Sequence, residues 1–226
     1  MDKKKNYASL KRFCEAQNID LFGIASVKDI RKDFLIDASL AGKLDYGVSL
    51  GMGLSAAILE EIKGAPTKLY FHHYRTVNVF LDQAALKVCN FIQRKRFTAL
   101  PIPASQILDW QSQKAHLSHK KVGLLAGLGW IGRNNLLVND KFGAQFRLCT
   151  ILTDMPLTTT RPVEKDCGKC RLCVEACPAH AIHESHLDFD HLRCFEKLKE
   201  FQKQRLTDQY ICGVCVKVCR PGRKAA

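Results

Sequence analysis

The sequence has no hydrophobic run long enough to cross a lipid bilayer. Its longest nearly apolar stretch, Val122 to Ile131, is about half the length that a transmembrane helix requires. It also lacks a hydrophobic secretory segment at the N-terminus, where Met1 is followed by Asp2 and three lysines. These absences exclude a helical membrane protein, and they predict a cytoplasmic chain with no membrane partner.

Acidic residues are few compared with basic ones. The chain has 22 Asp and Glu against 35 Lys and Arg, which gives a net charge of +13. This excess predicts attraction to tRNA or another polyanion, or to an acidic redox partner. A solvated basic surface explains it equally well, because the lysines form no long block and no aromatic-rich RNA-binding motif is present.

Cysteine is abundant, with 11 in the chain and eight of them in the last sixty residues. The first group has the spacing C-x2-C-x2-C-x3-C-P of bacterial ferredoxins and consists of Cys167, Cys170, Cys173 and Cys177. The second group consists of Cys212, Cys215 and Cys219, and Cys194 lies between the two groups. Two residues between successive cysteines allow a tight loop to place thiolates on three corners of an iron–sulfur cube.

The spacing predicts two 4Fe–4S clusters, because in two-cluster ferredoxins the fourth cysteine of a run binds the other cluster. The first predicted ligand set is Cys167, Cys170, Cys173 and Cys219. The second predicted ligand set is Cys177, Cys194, Cys212 and Cys215. Tetrahedral zinc is the main alternative and disulfides are the other. The remaining cysteines are predicted to be small buried residues: Cys14, Cys89 and Cys149.

Hydrophobic periodicity predicts helices and strands in alternation before the cysteines. Predicted helices cover Tyr7–Gln17, Leu54–Lys63, a long stretch beginning near Pro66, and Gln111–Ala126. Predicted strands cover Leu21–Ala25, and a hairpin formed by Leu136–Val138 and Phe146–Leu152. The stretch Leu100–Pro103 is too rich in proline for a central strand.

A polar stretch at Thr158–Pro162 is the best candidate for a linker. It predicts two domains, a cofactor or substrate domain over residues 1–157 and a ferredoxin-like domain over residues 163–226.

Three glycines, Gly127, Gly129 and Gly132, satisfy the motif G-x-G-x-x-G. A dinucleotide site requires a strand before this motif and a helix after it, whereas the predicted order here is the reverse. The glycines are therefore predicted to form a turn in which backbone approaches a bulky ligand closely. The neighbouring side chains predicted to share this cofactor site are Trp130, Arg133 and Asn134. A purely structural turn is the alternative.

Two segments followed by the eight cysteines resemble the catalytic region of epoxyqueuosine reductases, which are relatives of corrinoid-dependent reductive dehalogenases. The segments are Ala126–Asn134 and Leu152–Leu157, and a weaker likeness at Asp20–Ala25 extends the resemblance over most of the chain. The resemblance implies an α/β (α+β) corrinoid-binding domain followed by a ferredoxin-like module with two 4Fe–4S clusters. It also implies that residues 127–134 lie against the corrinoid (cobalamin) and the nearer cluster.

The sequence departs from the long form of that family in two places. The family's Val-Asp-Ser/Thr stretch, whose aspartate protonates the substrate, corresponds to Ala99–Ser105, which has no acid. The long form has a C-terminal helical-repeat extension, whereas this chain ends seven residues after Cys219 and is expected to be a short, divergent member. The proton donors predicted from the sequence are Asp109, His119 and Tyr74.

The leading functional hypothesis is an iron–sulfur oxidoreductase of the epoxyqueuosine reductase-like class. In such enzymes the clusters pass electrons to cobalt, and an epoxide oxygen is removed from a modified tRNA wobble base. The expected electron donor is a ferredoxin or a flavodoxin. The alternatives are a non-enzymatic electron carrier and an RNA-binding protein with structural clusters. More than 160 residues precede Cys167, which is more than a carrier needs to shield its iron.

Overall fold

A computed structural model of the chain describes residues 2–109 and 113–220. Its helices and strands follow one another as α1 Lys3–Glu15, β1 Leu21–Ser26, α2 Ala38–Ala41, β2 Tyr46–Gly53, α3 Ala56–Glu60, α4 Lys68–Gln93, β3 Ala99–Ile102, α5 His119–Leu125, β4 Trp130–Ile131, β5 Leu137–Val138, β6 Phe146–Thr153, α6 Leu172–Ala176, α7 His191–Lys203 and α8 Val214–Val218. Short 3-10 turns occur at Arg31–Asp33 and His186–Asp188. The predicted mixture of helices and strands is confirmed.

The larger sheet has four strands in the order β1-β2-β6-β3 among the described residues. Strand β1 pairs antiparallel with β2, and β3 pairs antiparallel with β6. Strand β6 lies inside the sheet, and every residue of it except Arg147 is buried. A strand that is covered on both faces is expected to be buried along nearly its whole length, and Thr150 and Thr153 are buried here together with the apolar residues.

The predicted hairpin between Leu136–Val138 and Phe146–Leu152 is wrong. Strand β5 pairs with β4 in a separate two-stranded sheet, through Trp130–Val138 and Ile131–Leu137. Strand β6 joins the larger sheet instead. The turn residues between the strands do form a local bridge, from Asn139 to Gly143, but this bridge does not extend into a ladder.

The proline-rich stretch forms an edge strand. Strand β3 contains Pro101 and lies at the end of the larger sheet, opposite Ile151 of β6. Proline cannot donate a ladder hydrogen bond, so an edge is the position that tolerates it. This agrees with the prediction that Leu100–Pro103 is not a central strand.

Two predicted helices are confirmed. Both bury apolar side chains at helical spacing, and the first also has a side-chain cap. Helix α1 begins earlier than predicted because the Asp2 carboxylate accepts hydrogen bonds from the backbone N–H groups of Lys4 and Lys5. Its residues Leu10 and Cys14 are fully buried. Helix α4 buries a stripe of side chains at helical spacing, namely Tyr70, Tyr74, Val77, Leu81, Ala84 and Val88, whereas Phe91 on the same stripe is only half-buried.

The prediction of a helix over Gln111–Ala126 is wrong for most of its first half, although Gln111 and Ser112 lie outside the described residues. The chain before α5 is held in an irregular path because the N–H of Leu35 donates to the carbonyl of His116. Helix α5 starts only after Ser118, whose hydroxyl caps the N–H of Lys121. The predicted helix at Leu54–Lys63 is also shorter, since α3 ends at Glu60.

The described residues divide into two units, each assembled from three stretches. The first unit comprises residues within Met1–Met52, Asn78–Leu128 and Arg147–Val163. The second unit comprises residues within Gly53–Val77, Gly129–Phe146 and Glu164–Ala226, and it contains the eight C-terminal cysteines. The boundary near residue 160 stays a prediction. None of the helices in the described ranges combines the length and hydrophobicity needed to cross a bilayer.

Candidate metal centres

Four cysteines of the second unit surround one cavity. Cys177, Cys194, Cys212 and Cys215 all line a cavity of about 120 Å³. Cys177 follows α6, Cys194 lies in the first turn of α7, and the other two lie at the start of α8. Burial raises the pKa of Cys194 to about 11 and that of Cys212 to about 12. Burial and the nearby thiols also raise the pKa of Cys215 well above its ordinary value.

The other four cysteines are close enough to influence one another. Burial raises the pKa of Cys173 to about 11, and the thiols of Cys167 and Cys170 raise it further. Burial likewise raises the pKa of Cys219 to about 12, with further increments from the same three cysteines. The N–H of Cys170 donates to the carbonyl of Cys167 at 3.1 Å, which closes the tight turn that the x2 spacing predicts.

These two groups of cysteines contain the same residues as the two predicted ligand sets, although the assignment of ligands stays a prediction. A raised pKa means that the buried thiols hold their protons when no metal is present. Bound iron supplies positive charge that reverses this preference, and binding then releases the protons. The donor set therefore suits iron–sulfur clusters. Within residues 2–109 and 113–220, no three His, Cys, Asp or Glu side chains are grouped as the ligands of a single metal ion.

The loop before α8 is fixed from both sides. Gly213 has φ +84°, and a Cβ at this position would lie 2.6 Å from the ring of Tyr70. Only glycine fits such a turn against an aromatic ring. At the other end of α8, the ammonium of Lys217 donates to the carbonyls of Ile62 and Glu60 at 2.6 and 3.0 Å. These contacts hold the helix that carries Cys215.

Gly143 contacts the backbone of a predicted ligand, which the sequence did not indicate. Its φ is +59°, and a Cβ there would overlap the carbonyl oxygen of Cys219. That carbonyl also accepts the N–H of Ala144 at 3.2 Å. The sequence motif Asn-x-x-x-Gly indicates a turn, and the flanking strand patterns predict that this turn is the tip of a hairpin. The turn packs against the last cysteine instead.

Arg133 holds the first cysteine loop. Its guanidinium donates to the carbonyls of Cys170 and Gly168, both at 2.9 Å, and its Nε lies 3.6 Å from the Glu184 carboxylate. A guanidinium with a fixed fork suits two carbonyls in one turn. The sequence predicts that Arg133 shares the site of a bulky cofactor. In the structure its described partners are two carbonyls of the loop and the Glu184 carboxylate.

The three motif glycines make room for protein atoms. A Cβ at Gly127, in the first unit, would overlap the carbonyl oxygen of Arg161. In the second unit, a Cβ at Gly129 would overlap the carbonyl oxygen of Val138. A Cβ at Gly132 would lie 2.6 Å from a methyl group of Val138 and 3.4 Å from the sulfur of Cys167. Gly127 and Gly129 thus fit a structural turn.

The order of elements around these glycines excludes the dinucleotide fingerprint. The motif follows helix α5 and precedes strand β4, which is the reverse of a strand–glycine–helix unit. The sequence prediction on this point is confirmed.

Comparison with known proteins identifies the cysteine segment and its relatives. Residues 166–222 match the family described as a 4Fe-4S double cluster binding domain. An epoxyqueuosine reductase from Cyclobacterium marinum is 35% identical over 183 residues, which cover 70% of this chain and 59% of that relative. One from Aliivibrio fischeri is 38% identical over 109 residues, covering 44% of this chain and 29% of that relative. The chain is thus similar in sequence to the epoxyqueuosine reductases.

Solved structures extend the likeness to nearly the whole fold. A reductive dehalogenase described in terms of B12-dependent dehalogenation matches with a TM-score of 0.75 and 20% identity, over 96% of this chain and 32% of that chain. An epoxyqueuosine reductase with an epoxyqueuosine-modified tRNA-Tyr stem loop matches with a TM-score of 0.61 and 17% identity, over 94% of this chain and 64% of that chain. The predicted fold, resembling epoxyqueuosine reductases with a double-cluster module, is confirmed.

Three residues are predicted from the sequence as candidate proton donors, namely Asp109, His119 and Tyr74. Asp109 is exposed, and its backbone pairs with that of Lys114. Tyr74, in the second unit, is buried within α4. The roles of Asp109 and Tyr74 as proton donors stay predictions.

His119 is held as a neutral imidazole in the first unit. Its Nε2 lies 2.8 Å from the carbonyl of Pro103, so this nitrogen donates, and its Nδ1 accepts from the Thr150 hydroxyl at 2.8 Å. Burial lowers the pKa of His119 to about 4. Both ring nitrogens are thus engaged in joining α5 to the sheet, and a histidine without a charge near neutral pH is a poor proton donor.

Proposed function

We propose that the chain is an iron–sulfur oxidoreductase in which two 4Fe–4S clusters pass electrons to a cofactor or substrate held by the N-terminal part of the chain. The observation that carries this proposal is the gathering of eight cysteines, as two sets of four, inside a segment that matches a double-cluster family. Homology to epoxyqueuosine reductases supports a reductase rather than a simple electron carrier.

The clusters, when bound, would supply one-electron transfer. The part of the chain around them performs three tasks. The cysteines provide thiolates, Arg133 holds the loop that carries Cys167 and Cys170, and apolar side chains shield the second cavity. The shielding side chains include Leu136, Ile182, Phe189 and Leu198. An apolar shell limits solvent access, which is one of the factors that set a cluster's potential.

The relatives suggest which molecules the enzyme acts on. A solved epoxyqueuosine reductase is described with a modified tRNA stem loop, and a solved dehalogenase is described as B12-dependent. We therefore propose a tRNA substrate and a corrinoid cofactor for this chain, and a ferredoxin or flavodoxin as its electron donor. The net charge of +13 supports a polyanionic substrate.

Anaerobic purification with cofactor analysis tests the proposal. We expect about eight irons per chain, together with corrinoid absorbance bands that appear after incubation with cobalamin. Eight irons without corrinoid uptake would favour the non-enzymatic electron carrier. Zinc in place of iron, or cysteines joined as disulfides, would overturn the redox function altogether.

A pair of cysteine variants separates ligands from buried cysteines. We expect Cys173→Ser to lose about half of the iron, because one of two four-iron clusters loses a thiolate. Cys149→Ser should keep the full iron content, since Cys149 is fully buried in β6 with its sulfur 3.6 Å from the carbonyl of Leu81. Iron analysis and the EPR spectrum of the reduced protein show how many clusters each variant retains. Equal iron loss in the two variants would contradict the ligand assignment.

A further inference from the structure

Asn134 has a buried amide nitrogen without a partner. The residue is 3% exposed, and its Oδ1 accepts the backbone N–H of Leu136 at 3.3 Å. Its Nδ2 has no hydrogen-bond partner among the described residues. Leaving such a donor unpaired in the interior is unfavourable, so a missing acceptor is the simplest explanation.

The side chain lines the cavity that four cysteines share. Asn134 borders the same space as Cys177, Cys194, Cys212 and Cys215. Lys197 also borders it, but its ammonium is paired with Glu200. Asn139 also has a buried amide nitrogen without a partner, yet it is not part of the cavity wall. An unpaired donor at this cavity is therefore specific to Asn134 among the described residues.

The turn around Asn134 fixes the amide in place. The N–H of Gly132 donates to the carbonyl of Leu136 at 2.9 Å, and the N–H of Asn135 donates to the carbonyl of Gly132 at 2.8 Å. The Oδ1 contact with Leu136 uses the acceptor end of the amide within the turn. The donor end is left for a ligand in the cavity. A donor held this rigidly loses little entropy when it binds an acceptor.

We propose that Asn134 donates a hydrogen bond from Nδ2 to a sulfur of the 4Fe–4S cluster that Cys177, Cys194, Cys212 and Cys215 bind. This inference rests on the proposed function, and it gives Asn134 the role of tuning one cluster. Reduction adds one electron, which the sulfurs share, and an N–H donor stabilises this extra negative charge. The amide keeps its proton throughout. Asn134 thus raises the reduction potential of the second cluster relative to the same site without the donor.

Redox titration of the full chain, purified without oxygen, tests this role. In Asn134→Leu, which is similar in volume and has no donor, we expect the reduction equilibrium of one cluster to shift about tenfold toward the oxidised form, or about 59 mV. Asn134→Asp keeps the acceptor for Leu136 but removes the donor and adds negative charge, so its shift should be larger. The other cluster should keep its potential in both variants. EPR signals of the reduced protein report each cluster separately.

Asn135→Gly is the matched control. Asn135 lies in the same turn with φ +56°, which glycine adopts without strain, and it is not part of the cavity wall. Its Nδ2 lies 3.1 Å from Nε2 of the exposed His191, so the variant loses one surface contact. Its potentials should equal those of the unchanged protein. Unaltered potentials in an Asn134 variant that retains eight irons would overturn the role of Asn134 while leaving the proposed function intact. Absence of clusters from the unchanged protein would overturn the proposed function itself.

If both Asn134 variants fail to assemble their clusters, a measurement on the unchanged protein still tests the proposed hydrogen bond. Labelling the asparagine side-chain amides with ¹⁵N and recording pulsed EPR of the reduced clusters should reveal a nitrogen coupling. If no such coupling is detected in protein with full iron content, Asn134 makes no hydrogen bond to the cluster.

Discussion

Arg133 and Asn134 are consecutive residues that serve different cysteine sets. The Arg133 guanidinium binds carbonyls of the loop that carries Cys167 and Cys170, and its charge also lowers the pKa of Cys173. Asn134 lines the cavity of the other set. Side chains of adjacent residues point in different directions, so one short turn reaches both sets. Two neighbouring side chains of one turn therefore lie beside the two different cysteine sets.

The contribution of Arg133 can be measured by its replacement. Arg133→Gln removes two charge-assisted hydrogen bonds, a loss of about 2 to 3 kcal/mol for the loop. We expect iron to be released to a chelator about tenfold faster or more. Arg171→Gln is the control, because its side chain is 54% exposed and contributes only a surface ion pair with Glu184. Equal release rates in the two variants would show that Arg133 does not hold the loop.

At the scale of secondary-structure elements, a short turn packs against one of the predicted cluster ligands. The Asn139–Gly143 turn packs against Cys219, and Gly143 has no space for a side chain beside that carbonyl. We expect Gly143→Ala to displace Cys219 and to lose about half of the iron. Gly64→Ala is the control: Gly64 has φ +76° but nothing within 4 Å of its would-be Cβ. It should retain its iron at a cost of about 1 kcal/mol of strain. Similar iron contents would contradict the steric explanation.

Helix α5 is joined to β3 and β6 by a histidine that must stay neutral. The folded chain holds the pKa of His119 at about 4, below the ordinary 6.5, mainly through burial. Below pH 6.5 the unfolded chain therefore binds a proton that the folded chain does not, and stability falls as the pH is lowered. Between pH 7 and pH 5 this loss is about 2 kcal/mol.

The variant His119→Gln tests this pH dependence. Glutamine has no titrating group in this range, so the stability of the variant should fall less between pH 7 and pH 5 than that of the unchanged protein. Denaturant unfolding at several pH values measures the difference. Parallel curves for the two proteins would mean that His119 is protonated equally in the folded and unfolded states.

The charge of the whole molecule determines how it meets a polyanion. Each oxidised cluster with four thiolates carries about −2, so two of them reduce the net charge from +13 to roughly +9. We expect the affinity for a tRNA stem loop to fall at least about tenfold between 50 and 200 mM salt, because bound phosphates release counterions. A filter-binding series measures this slope. An affinity independent of salt would argue against an electrostatic tRNA surface.

The chain spans 59% and 29% of the length of the two curated relatives compared. The activity of the complete relatives is therefore carried to this chain only as a proposal. What the whole chain does share is the fold, since solved structures with TM-scores of 0.75 and 0.61 cover 96% and 94% of it.

Local patterns in the sequence determined much of this protein. The stripe of α4 and the buried face of α1 follow from 3.6-residue periodicity, which any helix imposes on its own side chains. The cysteine spacing fixed the class of cofactor for the same reason, because a ligand loop is built from residues a few positions apart. These features depend on residues close together in the sequence and not on contacts between distant segments.

Only the tertiary structure decided which distant segments meet. Strand β5 pairs with β4 and not with β6, and the strand pattern alone does not choose between these partners. Arg133 meets a carbonyl 37 positions along the chain, and Gly143 meets Cys219. Such contacts depend on the packing of the folded chain, which leaves no trace in local periodicity. The sequence therefore predicted the metal chemistry, whereas the fold decided which distant residues support the cysteine loops.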